Sequence, residues 1–375
     1  MRIAIFAHSF ISDWNHGNAH FLRGIASELV SRGNEVSLYE PADAWSLVNL
    51  VEDYGEEVIE DYQEVYPQLR SIRYNLAEFD IGSELEGVDL VIVHEWSEPE
   101  LVRKIGIFRR KHTDCRILFH DTHHRSVTDP EAMKEYDLSN YDGVLAFGEI
   151  IRKLYIEYGW AKQAWTWHEA ADVTMFKPFE AFPKQGDLVW VGNWGDGERS
   201  SELVQFLVNP VNKLNLNCCV YGVRYHEKSL KLLKNHGIGY AGWAPNYKVP
   251  EIFSRFKVTV HIPRRPYVEA LPGIPTIRVF EALACGIPLI SAPWNDCEGL
   301  FTKGEDYLVA ENEKQMTEAI ETLLENESMA GEMARKGLET ILNRHTCAHR
   351  VDELMNICKE IGIGSVQETI AEQKT

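Results

Sequence analysis

"RIAIFA" (2–7), "NAHFLRGIASELVSRG" (18–33) and "EVSLY" (35–39) follow one another at the start of the chain. The first and third are apolar runs of strand length. The middle one carries Phe21, Leu22, Ile25 and Leu29 on one helical face and stops at Gly33. Strand, helix, strand at this spacing requires a right-handed crossover, which lays the two strands parallel in one sheet. The same alternation returns at "DLVIVHE" (89–95), "CRILFHD" (115–121), "DGVLAFG" (142–148) and "AWTWHE" (164–169). The polar, tyrosine-bearing stretch 43–80 reads as helices. This half predicts a doubly wound α/β domain.

"DVTMFKPFEAFPKQGD" (172–187) has two prolines, a glycine and no period, so it reads as a linker. A second series follows: "LVWVG" (188–192), a helix near 199–208, "LNCCVYG" (216–222), a helix near 226–235, "VTVHIP" (258–263), a helix inside "TIRVFEALACGIP" (276–288), and "PLISA" (288–292). From Glu313 to about residue 361 the chain is helical and charged, and "GSVQETIAEQKT" (364–375) reads as a frayed tail. The expected organisation is a Rossmann-like domain at 1–175, a second at 176–345, and a C-terminal helix and tail at 346–375 able to pack back on the first domain. Ligands of open α/β sheets bind beyond the carboxyl ends of the strands, so two such domains are expected to face a central cleft.

Composition narrows the function. The 57 acidic against 38 basic residues give a formal charge of −19 over 375 residues, which repels nucleic-acid phosphates and anionic membranes. No nucleic-acid partner is expected. No stretch reaches the roughly 18 continuous apolar residues of a membrane span. "MRIAIFAHSF" is too short an apolar run for a signal peptide. The seven cysteines include no CxxC pair, and reduced thiols in a cytoplasmic protein are the simplest account. Nothing in the sequence speaks to oligomeric state.

Chemistry gathers at the ends of the expected strands. Thr276 or the prolines before it can start the helix that Gly286 and Pro288 end, and its free N–H groups and positive dipole end suit a phosphate or diphosphate. Glu281, more than one turn in, suits ribose hydroxyls better than a metal; the alternative is a surface glutamate or a pair with Arg278. Gly192, Gly195 and Gly197 form a glycine-rich turn that is not the dinucleotide GxGxxG signature. Arg264 and Arg265 follow "VTVHIP" where a phosphate would lie, though a solvent-facing pair explains them as well. His94, Glu95, His120, Asp121, His123 and His124 can gather at neighbouring strand ends, either lining an acceptor pocket or holding a metal, and their spacing matches no zinc signature. Trp14, Trp96, Trp194 and Trp294 fall in loops near strand ends, where aromatic faces stack on sugars or bases as readily as they pack.

"RVFEALACGIP" resembles the donor-site helix of the group-1 retaining glycosyltransferases of the GT-B fold, whose glutamate would be Glu281. "VGNWGDGERS" (191–200) is similar to their glycine loop, with Gly192, Asn193 and an arginine, Arg199, where the family usually carries a lysine that grips the donor diphosphate. "GYAGWAPNYKVPEIFSRFKVTVHIP" (239–263) resembles the stretch that holds the nucleobase, here through Trp243 and Ala244. "WHEAADVTMFKP" (167–178) looks like the link between the domains, and "ILFHD" (117–121) like the strand whose histidine, His120, approaches the reacting sugar. "DTHHRSVT" (121–128) adds a likeness to the spore-maturation-protein-like branch. The sequence departs from the family at one position: eight residues before Glu281, where the family's first glutamate contacts the donor sugar, stands Gly273. Recognition of the sugar then falls to the loop 264–276, including Arg264, Ile274, Pro275 and Thr276.

The resemblance implies a GT-B-like glycosyltransferase with two Rossmann-like domains, retaining, metal-independent and without a cofactor beyond its nucleotide diphosphate sugar. His120, Arg199 and Glu281 would be its catalytic residues. Gly192, Asn193, Trp243, Ala244, Arg264, Gly273, Ile274, Pro275, Thr276 and Arg278 would complete the donor site. His16, Asn18, His94, Glu95, Asp121, His123 and His124 would face an acceptor that is a glycan, a lipid or a small molecule. Two alternatives stay open: a nucleotide-sugar epimerase of GT-B shape, and a non-catalytic nucleotide-sugar-binding protein.

Overall fold

The computed structural model describes residues 1–179, 182–195 and 197–363; the stretch read as a frayed tail, 364–375, lies outside the described residues. The chain forms two compact units. Among the described residues, unit 1 comprises Met1–Ser12, Phe21–His168 and Cys347–Ile363, and unit 2 comprises Asp13–His20 and Glu169–Thr346.

Unit 1 is built on a seven-stranded sheet: β1 (Arg2–Phe6), β2 (Glu35–Pro41), β3 (Ser71–Tyr74), β4 (Leu90–His94), β5 (Arg116–Asp121), β6 (Gly143–Ala146) and β7 (Ala164–Thr166). The order is β3-β2-β1-β4-β5-β6-β7, and every pairing is parallel. β4 is buried along its whole length, as a central parallel strand covered on both faces must be. The stretch 43–80 is helical at Trp45–Tyr54 and Glu57–Val65, but Ser71–Tyr74 is the edge strand β3, where the sequence reading expected helix. The short run "SIRY" has two exposed residues and one fully buried one, so it carries no apolar run that announces a strand. The helix Cys347–Glu360 packs in unit 1: Trp167 Nε1 donates to the Arg350 carbonyl at 2.9 Å and Trp165 Nε1 to Glu360 Oε2 at 2.9 Å.

Unit 2 has a six-stranded parallel sheet: β8 (Gly186–Val191), β9 (Cys218–Tyr221), β10 (Gly239–Tyr240), β11 (Phe256–His261), β12 (Leu289–Ser291) and β13 (Leu308–Val309), in the order β10-β9-β8-β11-β12-β13. From β8 the chain works outward to one side and then returns to β11 on the other. The β8/β11 boundary is therefore a topological switch point, the place where an open α/β sheet leaves a crevice for ligand. Leu188, Trp190, Val258, Val260 and Ile290 face Leu203, Leu207, Met316 and Ile320 in its core. The helix expected near 199–208 runs from Ser200 to Leu214 and widens to a π-turn at Val204–Val208. Pro210 has no N–H to give and its ring crowds the carbonyl four residues back, which accounts for the widening.

All seven cysteines are unpaired. Among the described residues no helix is long and apolar enough to cross a membrane.

Candidate functional site

At the switch point of unit 2, the loop after β8 carries Gly192, Asn193 and Arg199, and the loop after β11 carries Arg264 and Arg265. Arg199 joins the two loops. Its Nε and Nη2 donate to the Asn193 carbonyl at 3.2 and 2.5 Å, its Nη1 donates to the Ile262 carbonyl at 3.0 Å, and the guanidinium lies 5.2 Å from the Trp190 ring centre. Burial pushes Arg199 down to about 9, and the charges of Arg264 and Arg278 push in the same direction. Three arginines thus share one end of a sheet in a strongly acidic chain. Arg264 is paired with Glu198 at 3.2 Å; Arg265 meets Glu202 at 2.9 Å and the Gly197 carbonyl at 2.6 Å.

The helix Ile277–Ala284 starts beside them. Thr276, its N-cap, makes no side-chain bond to the helix N–H groups. The Thr276 hydroxyl instead meets His261 Nε2 at 3.1 Å, and His261 Nδ1 meets Ser291 Oγ at 2.8 Å. Burial, reinforced by the charge of Arg199, lowers His261 to about 3, so it acts as a neutral strut between β11, β12 and the helix start. The first N–H groups of the helix are left to an anion or to solvent.

Glu281 is 0% exposed. Arg278 binds Oε2, and Oε1 lies 2.9 Å from His20 Nδ1. His20 Nε2 accepts from the Asp172 N–H at 2.9 Å, so Nδ1 carries the ring proton and donates to Glu281. The His20 ring is stacked on Phe176 with centres 3.8 Å apart. Glu169 is buried close by, and its carboxyl is pushed well above the usual range, first by burial and then by the charge of Glu281, with Arg278 opposing. Glu169 therefore favours its protonated form. Sequence reasoning missed His20 and Glu169: Glu169 lies in a stretch read as a link between domains, and His20 lies 261 residues from its partner.

The segment Asp13–His20 supplies more of unit 2. Asp13 accepts from Trp243 Nε1 at 2.8 Å and from the Asn246 N–H at 3.0 Å; Asn15 pairs with Asn193 Nδ2; and a Cβ on Gly17 would lie 3.3 Å from Ile277. Trp243 is thereby held in place, with Ala244 half-buried next to it. His16 and Asn18, grouped on sequence with the acceptor side, lie in this segment and so belong with unit 2.

Gly273 is buried with φ +89°, and a Cβ there would lie 2.7 Å from Glu298 Cγ and Oε1 and 3.1 Å from Cys297 Sγ. Its N–H donates to the Asn295 carbonyl at 2.6 Å, while Ile274 and Pro275 pack inward. The space a glutamate would need at 273 is taken by Glu298. Gly273→Glu is therefore expected to lower stability by about 1–3 kcal/mol through left-handed strain alone, without raising activity. Urea unfolding checks this, and an unchanged midpoint would refute it.

In unit 1 the strand-end cluster forms. His94 pairs across the sheet with His120, and their rings lie 5.2 Å apart. His94 Nδ1 accepts from the Trp96 N–H at 3.3 Å, leaving Nε2–H to donate to Thr122 Oγ1 at 3.0 Å. His120 is 1% exposed, packed against Phe21 and Trp167, and neither of its ring nitrogens has a hydrogen-bond partner among the described residues. Burial lowers His120 to about 3, so the ring is neutral and offers one donor and one acceptor. His123 and His124 stack 3.9 Å apart, and His124 Nδ1 meets Thr128 at 2.9 Å. Arg125 binds Glu95 and lies 4.3 Å from the Trp96 ring centre. Asp121 accepts from Tyr155 at 2.8 Å and from the His123 N–H at 3.0 Å. No group of three or more His, Cys, Asp and Glu among the described residues is arranged to hold a metal ion.

Burial pushes Glu95 up to about 8 against the pull of Arg125, and Asp121 up to about 6. A carboxyl whose folded pKa is raised binds its proton more tightly in the fold. Its contribution to stability is fully present below the ordinary value of 4.5 and is lost as pH rises through about 8. The stability of the native chain relative to Glu95→Gln is accordingly expected to fall between pH 5 and pH 8 in urea unfolding. An equal difference at both pH values would show that Glu95 is ionised throughout.

Comparison with known proteins agrees with this geometry. Residues 199–356 match the family model described as "Glycosyl transferase-like". No curated protein matches. Among solved structures, the chain is similar to a glycosyltransferase from Rickettsia africae ESF-5 (12% identity, TM-score 0.67, covering 96% of this chain and 98% of that one). It is also similar to Anabaena Alr3699/HepE, solved with UDP and glucose (12%, 0.67, 96% and 100%), and to T4 phage BGT, solved with its UDP-glucose substrate (16%, 0.60, 96% and 100%). Two parallel sheets flanked by helices, in these orders, are the GT-B fold of the glycosyltransferases.

Proposed function

We propose that the chain is a glycosyltransferase that takes a sugar from a nucleotide diphosphate sugar. The observation that carries this reading is the convergence of Arg199, Arg264 and Arg278 on the switch point of unit 2, beside the uncapped start of the helix Ile277–Ala284. A buried guanidinium, Arg199, whose charge the neighbouring Arg264 and Arg278 disfavour, lies next to free helix N–H groups, and a diphosphate satisfies both. In this reading Arg199 and the helix start stabilise the charge that develops on the departing diphosphate. Glu281, oriented by His20, takes ribose hydroxyls; Trp243 and Ala244 flank the base; and Gly192, Asn193, Gly273, Ile274, Pro275 and Thr276 shape the floor. Unit 1 takes the acceptor, with His120 offering its two ring nitrogens to sugar hydroxyls and Asp121, Glu95 and the neighbouring histidines shaping the surroundings. Transfer proceeds with retention and without metal, the leaving phosphate oxygen taking the acceptor proton. We read the enzyme as cytoplasmic, and UDP-glucose, the substrate bound by the T4 phage enzyme, is the first donor to try.

Thermal unfolding with UDP, ADP, GDP and their sugar conjugates tests it. A ligand at about 100 times its dissociation constant adds roughly 2.7 kcal/mol to stability, a readable shift. Mass analysis of the donor then distinguishes slow hydrolysis or transfer from epimerisation or no change. The reading fails if no nucleotide moves the transition.

A further inference from the structure

A cavity of about 560 Å³ opens in unit 1 at the carboxyl ends of β2 and β3, within the size range of small-molecule sites. Asp43, Tyr74, Asn75, Glu98, Glu100 and Lys104 contribute its polar lining. Tyr74 sits opposite Pro41 in the sheet, and its ring is fixed by Phe79 at 4.8 Å and Phe6 at 6.1 Å. The residue is only 5% exposed, yet its hydroxyl makes no hydrogen bond to another protein group among the described residues. A hydroxyl held rigidly on the wall of a cavity, without a protein partner, is open to a ligand.

Several of the charges around it are already engaged. Glu100 is gripped by both arms of Arg103 at 2.8 Å, and Lys104 reaches the Leu76 carbonyl at 3.4 Å and Glu100 at 3.9 Å. Asp43 and Glu98 take part in no ion pair among the described residues, and both carboxylates bear on the Tyr74 hydroxyl. The Asn75 side-chain oxygen accepts from the Ala77 N–H at 3.1 Å, and its NH2 makes no hydrogen bond among the described residues. The unspent groups are two carboxylates, one phenol and one amide, a set that accepts more hydrogen bonds than it donates and that carries negative charge.

We propose that this cavity binds a small hydroxyl-rich molecule bearing an amine, an amino sugar in chemical class. Its ammonium meets Asp43 or Glu98, and its hydroxyls meet Tyr74 and Asn75. That the bound molecule serves as the acceptor rests on the glycosyltransferase reading; that it binds does not. An anionic sugar is turned away by the same two carboxylates.

Saturation-transfer NMR titrations of the full chain with D-glucosamine, D-glucose and D-glucuronate test the proposal, with UDP titrated calorimetrically on the same samples. The expected order is glucosamine, then glucose, with glucuronate unbound. In the double variant D43N/E98Q, glucosamine is expected to weaken by about tenfold, the loss of one charged hydrogen bond, and to become equal to glucose. Tyr74→Phe weakens both sugars, and UDP affinity and the thermal midpoint stay unchanged in both variants. The proposal is overturned if glucuronate binds as well as glucosamine, if none of the three sugars binds, or if D43N/E98Q leaves glucosamine affinity intact. UDP failing to bind a native chain that binds glucosamine would instead remove the glycosyltransferase reading and leave the cavity assignment standing.

Discussion

Arg199→Ala is expected to weaken binding of the nucleoside diphosphate by about 100-fold or more, roughly 2.7 kcal/mol. The loss has two sources. The variant removes one of three cations that a diphosphate neutralises, and it frees the Asn193 and Ile262 carbonyls that hold the loops after β8 and β11 at a fixed separation. Hydrogen bonds to a charged donor contribute about 1.5–3 kcal/mol each, so the fold also weakens, partly offset by relief of repulsion from Arg264 and Arg278. Arg199→Lys separates the two sources: it keeps a charge but has no planar fork to bridge two carbonyls. It should retain the salt dependence of binding while losing loop order. Calorimetric titration at two ionic strengths measures both. If Arg199→Ala binds nucleotide within about threefold of the native chain, the arginine is a loop tie and the diphosphate site lies elsewhere.

Glu281→Ala should be the most destabilising single change in unit 2. It strands the His20 Nδ1–H and the Arg278 guanidinium around a space that is fully buried. Breaking a buried charge pair from one side costs about 3–5 kcal/mol. Glu281→Gln is the informative companion, since its amide oxygen still accepts from His20 while its NH2 meets Arg278 where a carboxylate oxygen accepted. Removing that charge also relieves Glu169, whose carboxyl is held protonated in part by it. Glu281→Gln should therefore unfold between the native chain and Glu281→Ala, and bind nucleotide about tenfold more weakly, one charge-assisted hydrogen bond to a ribose hydroxyl. Native-like nucleotide affinity in the Gln variant would confine Glu281 to a structural part.

What the sequence discloses here is local. Apolar runs of strand length alternating with helices are enough for two parallel sheets, because a buried parallel strand must be apolar along its length, as Leu90–His94 is. Ser71–Tyr74 escapes the same test as an edge strand with two exposed residues. The stop of the helix Ile277–Ala284 was equally legible, since Gly286 acts on its own neighbours, whereas the hydroxyl of Thr276 turns away from the helix to His261. Partnerships across the chain were not. Arg199 reads as a diphosphate ligand only through the resemblance of its glycine loop, whereas its bonds to Asn193 and Ile262 depend on how two loops meet. Nothing near His20 announces Glu281, and nothing near Gly273 announces that Glu298 fills the space above it.

The placing of Asp13–His20 in unit 2 has a consequence in time. These residues leave the ribosome directly after β1, but Trp243, Asn246 and Glu281, which hold Asp13 and His20, are made hundreds of residues later. At about 5–20 residues per second, His20 waits roughly 13–50 s for its carboxylate. During that interval the nascent chain carries a completed first strand followed by a segment whose polar groups have no destination. A fragment beginning at Glu169 never receives that segment at all. Exchanges of unit 2 between chains of this fold should therefore carry residues 13–20 along with 169–346, or the graft will lack the clasp on Trp243 and Glu281.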